Sequence, residues 1–178
     1  MNYCSNCGAS LNRYIPPGDD RPRYVCDECN TIHYENPKIV VGCIPEWKDR
    51  ILLCKRSIEP RYGYWTAPAG FLENGETVVE GARRETLEEA CAHVEILSPY
   101  ALFDLTHVNQ VYLIFRARLV EKKFKPGHES LEVKLFREEE IPWNQIAFLS
   151  IREALCLYFQ DRSRGKFPLH TGTISPGQ

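Results

Sequence analysis

The sequence predicts an α/β domain behind a small cysteine-bound ribbon. Three observations carry this: two CxxC pairs open the chain, a β-branched run begins at Lys38, and a capped helical pattern begins near Val78. A chain of 178 residues with 43% hydrophobic content can bury a real core and suits one domain plus an appendage.

Cys4 and Cys7 form one pair and Cys26 and Cys29 the other, with eighteen residues between them. This is the spacing of a four-thiolate Zn²⁺ ribbon, in which each CxxC turn presents two sulfurs. A redox reading would want a thioredoxin-like strand and helix, which this Pro/Gly-rich segment lacks. Four protein ligands leave no position for water, so the predicted zinc is structural. Pro16 to Asp20 reads as a solvent-facing loop between two short strands. His33 is superfluous as a ligand and reads as a hydrogen-bonded structural histidine. The boundary falls near Asn36, giving a ribbon over 1–36 and a second domain over 37–178. Cys43, Cys54, Cys91 and Cys156 stand singly in apolar surroundings and read as small buried hydrophobes.

From Lys38, KIVVGCIPEW shows no polar alternation, the mark of a central strand buried on both faces. Lys48-Asp49-Arg50 turns the chain into its hairpin partner ILLCKRS. HVEILSPYALFDL, NQVYLIFRARLV and ESLEVKLF supply further strands, for a sheet of four or more. Glu138 to Glu140 reads as a solvated turn. Ser150 with Glu153 repeats a capping box, and Ile151, Ala154, Leu155 and Tyr158 give the stripe of a packed helix ending at Gly165. The tail from Lys166 has no periodicity and reads as mobile, although His170 to Thr173 is too specific for filler and receives no role.

The chemical centre is Gly70 to Ala92, GFLENGETVVEGARRETLEEACA. Thr77 and Glu80 form a T-x-x-E capping box, starting a helix near Val78. Val79, Ala82, Thr86 and Ala90 gather on one side, while Glu85, Glu88 and Glu89 project on a neighbouring side. Three carboxylates within about one turn repel one another and call for a cation. Hard oxygen ligands in that number suit Mg²⁺ or Mn²⁺. Arg83 and Arg84 are placed to lock the carboxylates. The competing reading is a solvated acidic face with no chemistry.

The spacing of Gly70, Glu76, Arg84-Glu85 and Glu88-Glu89 resembles the Nudix box. With the ribbon, the junction HYENPKIVVGCI, the PAG before the helix, ESLEVKLF and the final LHTGTI, the chain resembles zinc-ribbon Nudix hydrolases over nearly its whole length. Within them it is similar to the FAD and ADP-ribose pyrophosphatase branch of plant chloroplasts. Two positions depart from the family pattern. Thr86 replaces an aliphatic residue and can be buried if its hydroxyl bonds to a carbonyl one turn earlier. Cys91 replaces a glycine, which predicts a looser or differently shaped helix exit.

The resemblance implies an α/β/α sandwich around a mixed sheet and metal-assisted attack of water on the diphosphate of a small nucleoside diphosphate derivative. It implies Glu85, Glu88, Glu89 and the carbonyl of Ala69 as Mg²⁺ or Mn²⁺ ligands. Arg84 would orient Glu85, and Glu76 would hold Arg84. Glu129 or Glu132 would add a further ligand or the base, the competing reading for both being an exposed edge charge. FAD would give AMP and FMN, and ADP-ribose would give AMP and ribose 5-phosphate. Tyr62, Tyr64, Trp65 and Phe103 are available for stacking but read as packing residues. A homodimer is expected by analogy alone.

The nearest rival is an NADH pyrophosphatase or NAD-cap hydrolase, whose SQPWPFPxS segment is replaced here by SPYALFDLTHVNQVY. A rival of another class is a noncatalytic nucleotide sensor whose ribbon docks a protein. The net charge of -2 offers no basic field for nucleic acid and no polybasic membrane anchor. The polar start MNYCSNCGAS is unlike a secretory signal and no apolar run reaches membrane-spanning length. A cytoplasmic location is therefore expected, with an organellar form left open.

Overall fold

The computed structural model describes residues 1–175, which form two compact units, one over Met1–Asn36 and one beginning at Pro37. In the first, β1 (Asn12–Tyr14), β2 (Arg23–Val25) and β3 (Ile32–His33) make an antiparallel sheet in that order. The β1–β2 loop carries the Pro-Pro-Gly turn. Asp19 ties it down, accepting 2.7 Å and 3.1 Å bonds from the amides of Asp20 and Arg21 and a 2.9 Å bond from Arg23 Nε.

The second unit is built on an eight-stranded mixed sheet. Its strands are β4 (Lys38–Trp47), β5 (Arg50–Arg56), β6 (Trp65–Thr66), β7 (Ala69–Phe71), β8 (Val94–Leu105), β9 (Gln110–Leu119), β10 (Ser130–Phe136) and β11 (His170–Thr173). The main order is β10-β5-β4-β9-β8-β11, with β6 on β5 and β7 on β4. β4 runs parallel to β9 and β11 parallel to β8, while the remaining pairs are antiparallel.

β4 is central, and its alternate residues feed two cores. Val40 and Ile44 join Ile114, Leu155 and Tyr158 on one face, whereas Val41 and Cys43 join Ala82, Ala90 and Phe115 on the other. A strand covered on both sides must be apolar throughout, which is why KIVVGCI lacks alternation. The helices α1 (Val78–Ala90) and α2 (Leu149–Arg164) supply the two covers, completing an α/β/α sandwich.

α1 begins as its capping box dictates: Thr77 Oγ1 accepts from the Glu80 amide at 3.2 Å, and Glu80 accepts from the Thr77 amide at 2.8 Å. Thr86 is fully buried, and its hydroxyl donates to the Ala82 carbonyl at 2.8 Å. Cys91 takes the left-handed conformation itself, at φ 47° and ψ 36°. The helix therefore exits as it would through glycine, at the strain cost of a Cβ. Cys43 and Cys54 are buried, but Cys91 and Cys156 are only half-buried, so the reading of all four as core residues is corrected.

Two further expectations are corrected. α2 starts at Leu149 with Phe148 as its cap, so Ser150 and Glu153 form no capping box. The Ala147 amide donates 2.8 Å to the Trp65 carbonyl, and this pairing fixes the helix entry ahead of the side-chain signal. Ser150 is left inside the first turn with its buried hydroxyl unpartnered among the described residues. The tail is not loose: His170–Thr173 pairs with Ala101–Asp104 as β11. Tyr100 donates to Asp161 Oδ2 at 2.9 Å and His170 Nε2 lies 2.6 Å from the same oxygen, pinning α2 and the tail to β8. No helix among the described residues is long and apolar enough to cross a membrane.

Candidate active site

In the first unit, Cys4, Cys7, Cys26 and Cys29 present sulfurs that all lie within 4.8 Å of one another. Cys4 and Cys29 are 3.6 Å apart and Cys7 and Cys26 are 3.4 Å apart. Tetrahedral zinc with bonds of about 2.3 Å needs sulfur separations of about 3.8 Å, so the residues present fit that ion. Supporting side chains surround the group. His33 Nε2 lies 3.3 Å from Cys4 Sγ, and Thr31 Oγ1 lies 3.1 Å from Cys29 Sγ. His33 thus contacts a sulfur and does not replace one.

In the second unit, α1 and β7 bring the box residues together. Arg84 Nε donates to Glu76 Oε2 at 3.0 Å and Nη2 to Glu76 Oε1 at 2.7 Å, a bidentate pair. Nη1 donates to Glu85 Oε1 at 2.6 Å and to Glu88 Oε2 at 3.1 Å, and Nη2 also reaches the Phe71 carbonyl at 3.0 Å. Arg84 is the hub, and Glu76 anchors it from behind. Arg83, by contrast, is exposed and makes no ion pair among the described residues. Glu76 is itself fixed by the Glu73 amide at 2.8 Å. Arg84, followed by that amide, holds the Glu76 carboxyl down to about 2.

Glu85 and Glu89 are buried, while Glu88 is exposed. Burial pushes Glu85 above the ordinary carboxylate range against the opposing pull of Arg84. Glu89 makes no ion pair among the described residues, and burial, then the nearby Glu85, pushes it up to about 8. The helix carboxylates do not form a group as compact as the four cysteines, since Arg84 Nη1 bridges Glu85 and Glu88. The Arg56 charge and the Ala69 amide only partly offset that rise at Glu89, and a cation bound beside the two buried acids would favour their ionised forms. The donor set, all hard oxygen, fits Mg²⁺ or Mn²⁺.

These groups wall a cavity of about 790 Å³. Ala69, Gly70, Glu85, Glu88, Glu89 and Glu129 line one part of it, with Arg84. Glu132 does not: it is exposed on β10 opposite Lys55, so only Glu129 of the two predicted acids reaches the site. The difference comes from Gly127, whose amide donates to the Glu89 carbonyl at 2.9 Å, drawing the loop before β10 onto the end of α1. Of the aromatic residues considered for stacking, Trp65 and Phe103 are buried in the core, and Tyr62 and Tyr64 do not line the cavity. Phe71, Tyr112 and Phe148 do.

Arg56, Tyr112 and His128 also line the cavity and were not singled out by sequence. Arg56 ends a strand whose preceding residues are buried, and nothing in its local pattern marks it. The volume lies in the range of pockets that enclose cofactor-sized ligands.

Comparison with known proteins agrees with this geometry. Residues 2–35 match the zinc-ribbon family described as Nudix N-terminal, and residues 36–156 match the NUDIX domain. The chain is 28% identical to the NAD-capped RNA hydrolase NudC of Photobacterium profundum, over 88% of this chain but only 59% of that protein. It is 30% identical to the ADP-ribose pyrophosphatase of Methanocaldococcus jannaschii, over 61% of this chain and 67% of that one. It is similar to the crystal structure of a NUDIX hydrolase from Nitrosomonas europaea, with a TM-score of 0.95 and 56% identity over 98% of this chain and 99% of that one. The chain belongs to the Nudix hydrolase family, among members that carry a zinc ribbon ahead of the catalytic fold.

Proposed function

We propose that the protein is a metal-dependent pyrophosphohydrolase that cleaves the diphosphate of an adenosine diphosphate linked to a second group, FAD and ADP-ribose foremost, releasing AMP. The observation that supports this most is the buried Glu89, without an ion-pair partner among the described residues, beside Glu85 on the wall of the 790 Å³ cavity. Glu85, Glu88 and Glu89, with the Ala69 carbonyl, would hold the catalytic Mg²⁺ or Mn²⁺, and the four cysteines a structural Zn²⁺. Bound there, a divalent cation would supply charge neutralisation of the phosphate oxygens and a lowered pKa for the attacking water.

The chain's own residues do the rest. Arg84 fixes the direction in which Glu85 and Glu88 point, and Glu76 fixes Arg84. Glu129, which lines the cavity, would be the group that takes the proton of the attacking water.

A second reading, hydrolysis of NADH or an NAD cap, is favoured by the likeness to NudC. Against it, SPYALFDLTHVNQVY carries no SQPWPFPxS segment. Both readings share the diphosphate chemistry and differ in the group beyond it. The test is AMP release from FAD, ADP-ribose, NADH and a dinucleoside polyphosphate with Mg²⁺ or Mn²⁺, repeated with Glu89→Gln. Fastest turnover of FAD or ADP-ribose supports the first reading, and dominance of NADH supports the second. No turnover of any substrate under either metal would leave the nucleotide-sensor reading.

A further inference from the structure

The last turn of α1 is closed by a loop from elsewhere in the chain. A helix leaves its final carbonyls without partners of its own. Here the Cys91 amide takes the Leu87 carbonyl, while the Lys125 amide donates to the Ala90 carbonyl and the Gly127 amide to the Glu89 carbonyl, each at 2.9 Å. Pro126, between the two loop donors, has no amide to leave over.

Gly127 then opens a tight turn. Its carbonyl accepts from the Ser130 amide at 3.2 Å, which puts His128 and Glu129 at the tip, and both line the cavity. Ser57, directly after β5, braces the tip from another side. Its amide donates to the Glu129 carbonyl at 2.9 Å and its hydroxyl to the His128 carbonyl at 3.3 Å.

The seat admits no side chain at its centre. A Cβ on Gly127 would run into the Glu88 carbonyl group and the carbonyl carbon of Glu89, all of them backbone atoms with no freedom to swing away. The Gly127 φ lies outside the left-handed region, so crowding alone excludes a larger residue.

We propose that Gly127 is a positioning residue for the reaction: its bare Cα lets the turn seat on the end of α1, so that Glu129 keeps one fixed placement relative to Glu85, Glu88 and Glu89. This rests on the proposed diphosphate hydrolysis with Glu129 as the base. A base must stay within hydrogen-bond reach of the water it deprotonates, and a shift near 1 Å costs about a hundredfold in rate. A Cβ at position 127 lifts the turn and moves Glu129, so kcat falls while KM changes little.

The test combines turnover of FAD, ADP-ribose and NADH under Mn²⁺ with amide exchange of the metal-free protein in EDTA, for wild type, Gly127→Ala, Glu129→Gln and the double variant. Gly127→Ala is expected to lower kcat by roughly ten- to a hundredfold, with KM within about threefold of wild type. In the Glu129→Gln background the same change should cost less than about twofold, because both act through one group. Amides of residues 125–129 should exchange slowly in wild type and about tenfold faster or more in Gly127→Ala, with residues 78–86 unchanged. Should Gly127→Ala fail to fold, Ser57→Ala carries the test with a smaller kcat loss that also vanishes in the Glu129→Gln background, and an absent or additive loss there overturns the proposal. Wild-type kcat in Gly127→Ala or Glu129→Gln, a loss carried by KM, full additivity, or rapid exchange of the turn in wild type overturns it equally. Wild type that shows the exchange contrast yet hydrolyses no substrate sinks the functional reading alone. Active wild type with unaltered kcat in Gly127→Ala sinks the proposal alone.

Discussion

Gly70 lies directly against the carboxyl group of Glu85, so closely that a Cβ at position 70 would collide with all three of its terminal atoms. The first glycine of the box is therefore a steric requirement of the acid fifteen residues later, and the two positions form a single unit. Gly70→Ala is expected to displace Glu85 and lower metal-dependent turnover by about a hundredfold, the cost of a misplacement near 1 Å. Steady-state rates together with a Mn²⁺ titration check this, and full activity would refute it.

Arg84 joins Glu76 to Glu85 and Glu88 through its whole fork. Arg84→Lys keeps the charge but cannot span these partners. A loss of roughly ten- to a hundredfold in activity or metal affinity is expected, as for other groups that orient metal ligands. Glu76→Gln should show a smaller effect in the same direction.

The pH response of the metal-free protein has its largest alkaline contribution from Glu89, which burial pushes up to about 8, with Glu85 raised in the same direction. Between the ordinary carboxylate range and that value the folded chain keeps a proton that the unfolded chain has lost. Stability is then full below the ordinary range and falls as pH rises through about 8, by an amount of the order of a few kcal/mol. Thermal melts in EDTA from pH 5 to 9, expressed on the approximate scale of that window, should show the decline. Glu89→Gln should flatten it, and added Mn²⁺ should restore stability at the alkaline end. Glu76 acts oppositely: held down to about 2, it contributes stability that disappears as pH falls towards that value.

Zinc removal should act on the first unit. Cys26→Ser breaks the four-sulfur group, and the small β1–β3 sheet has little else to hold it. The expected result is loss of bound zinc, measured by elemental analysis, with loss of hydrogen-exchange protection confined to residues before Asn36.

Asp161 serves two partners at once, Tyr100 and His170. Asp161→Ala strands a buried tyrosine hydroxyl, and a destabilisation of about 2–4 kcal/mol in urea unfolding is expected. Tyr100→Phe should cost less, because it removes donor and need together.

The parts of the fold visible in the sequence are those determined within a few residues. Thr77 and Glu80 satisfy each other's backbone, so the start of α1 could be read directly. The unbroken apolar run of β4 likewise announced burial on both faces. The cavity has no such local signature. Phe71, Arg56, Tyr112 and Phe148 come from four separate stretches and converge only when the sheet forms. β11 was hidden because four residues are too few to show a period, and its pairing with β8 spans a long stretch of chain. Ser150 misled because a capping sequence confers a preference, which the contact between Ala147 and Trp65 outweighed.

The short parallel strand His170–Thr173 has a consequence for handling the molecule. It shields the outer edge of β8 over Ala101–Asp104, where amides and carbonyls would otherwise stand bare. Trimming residues 166–175 would leave α1 untouched yet create a sticky margin where a second chain could add. Such a shortened protein should precipitate or self-associate on concentration well before it loses the proposed hydrolysis.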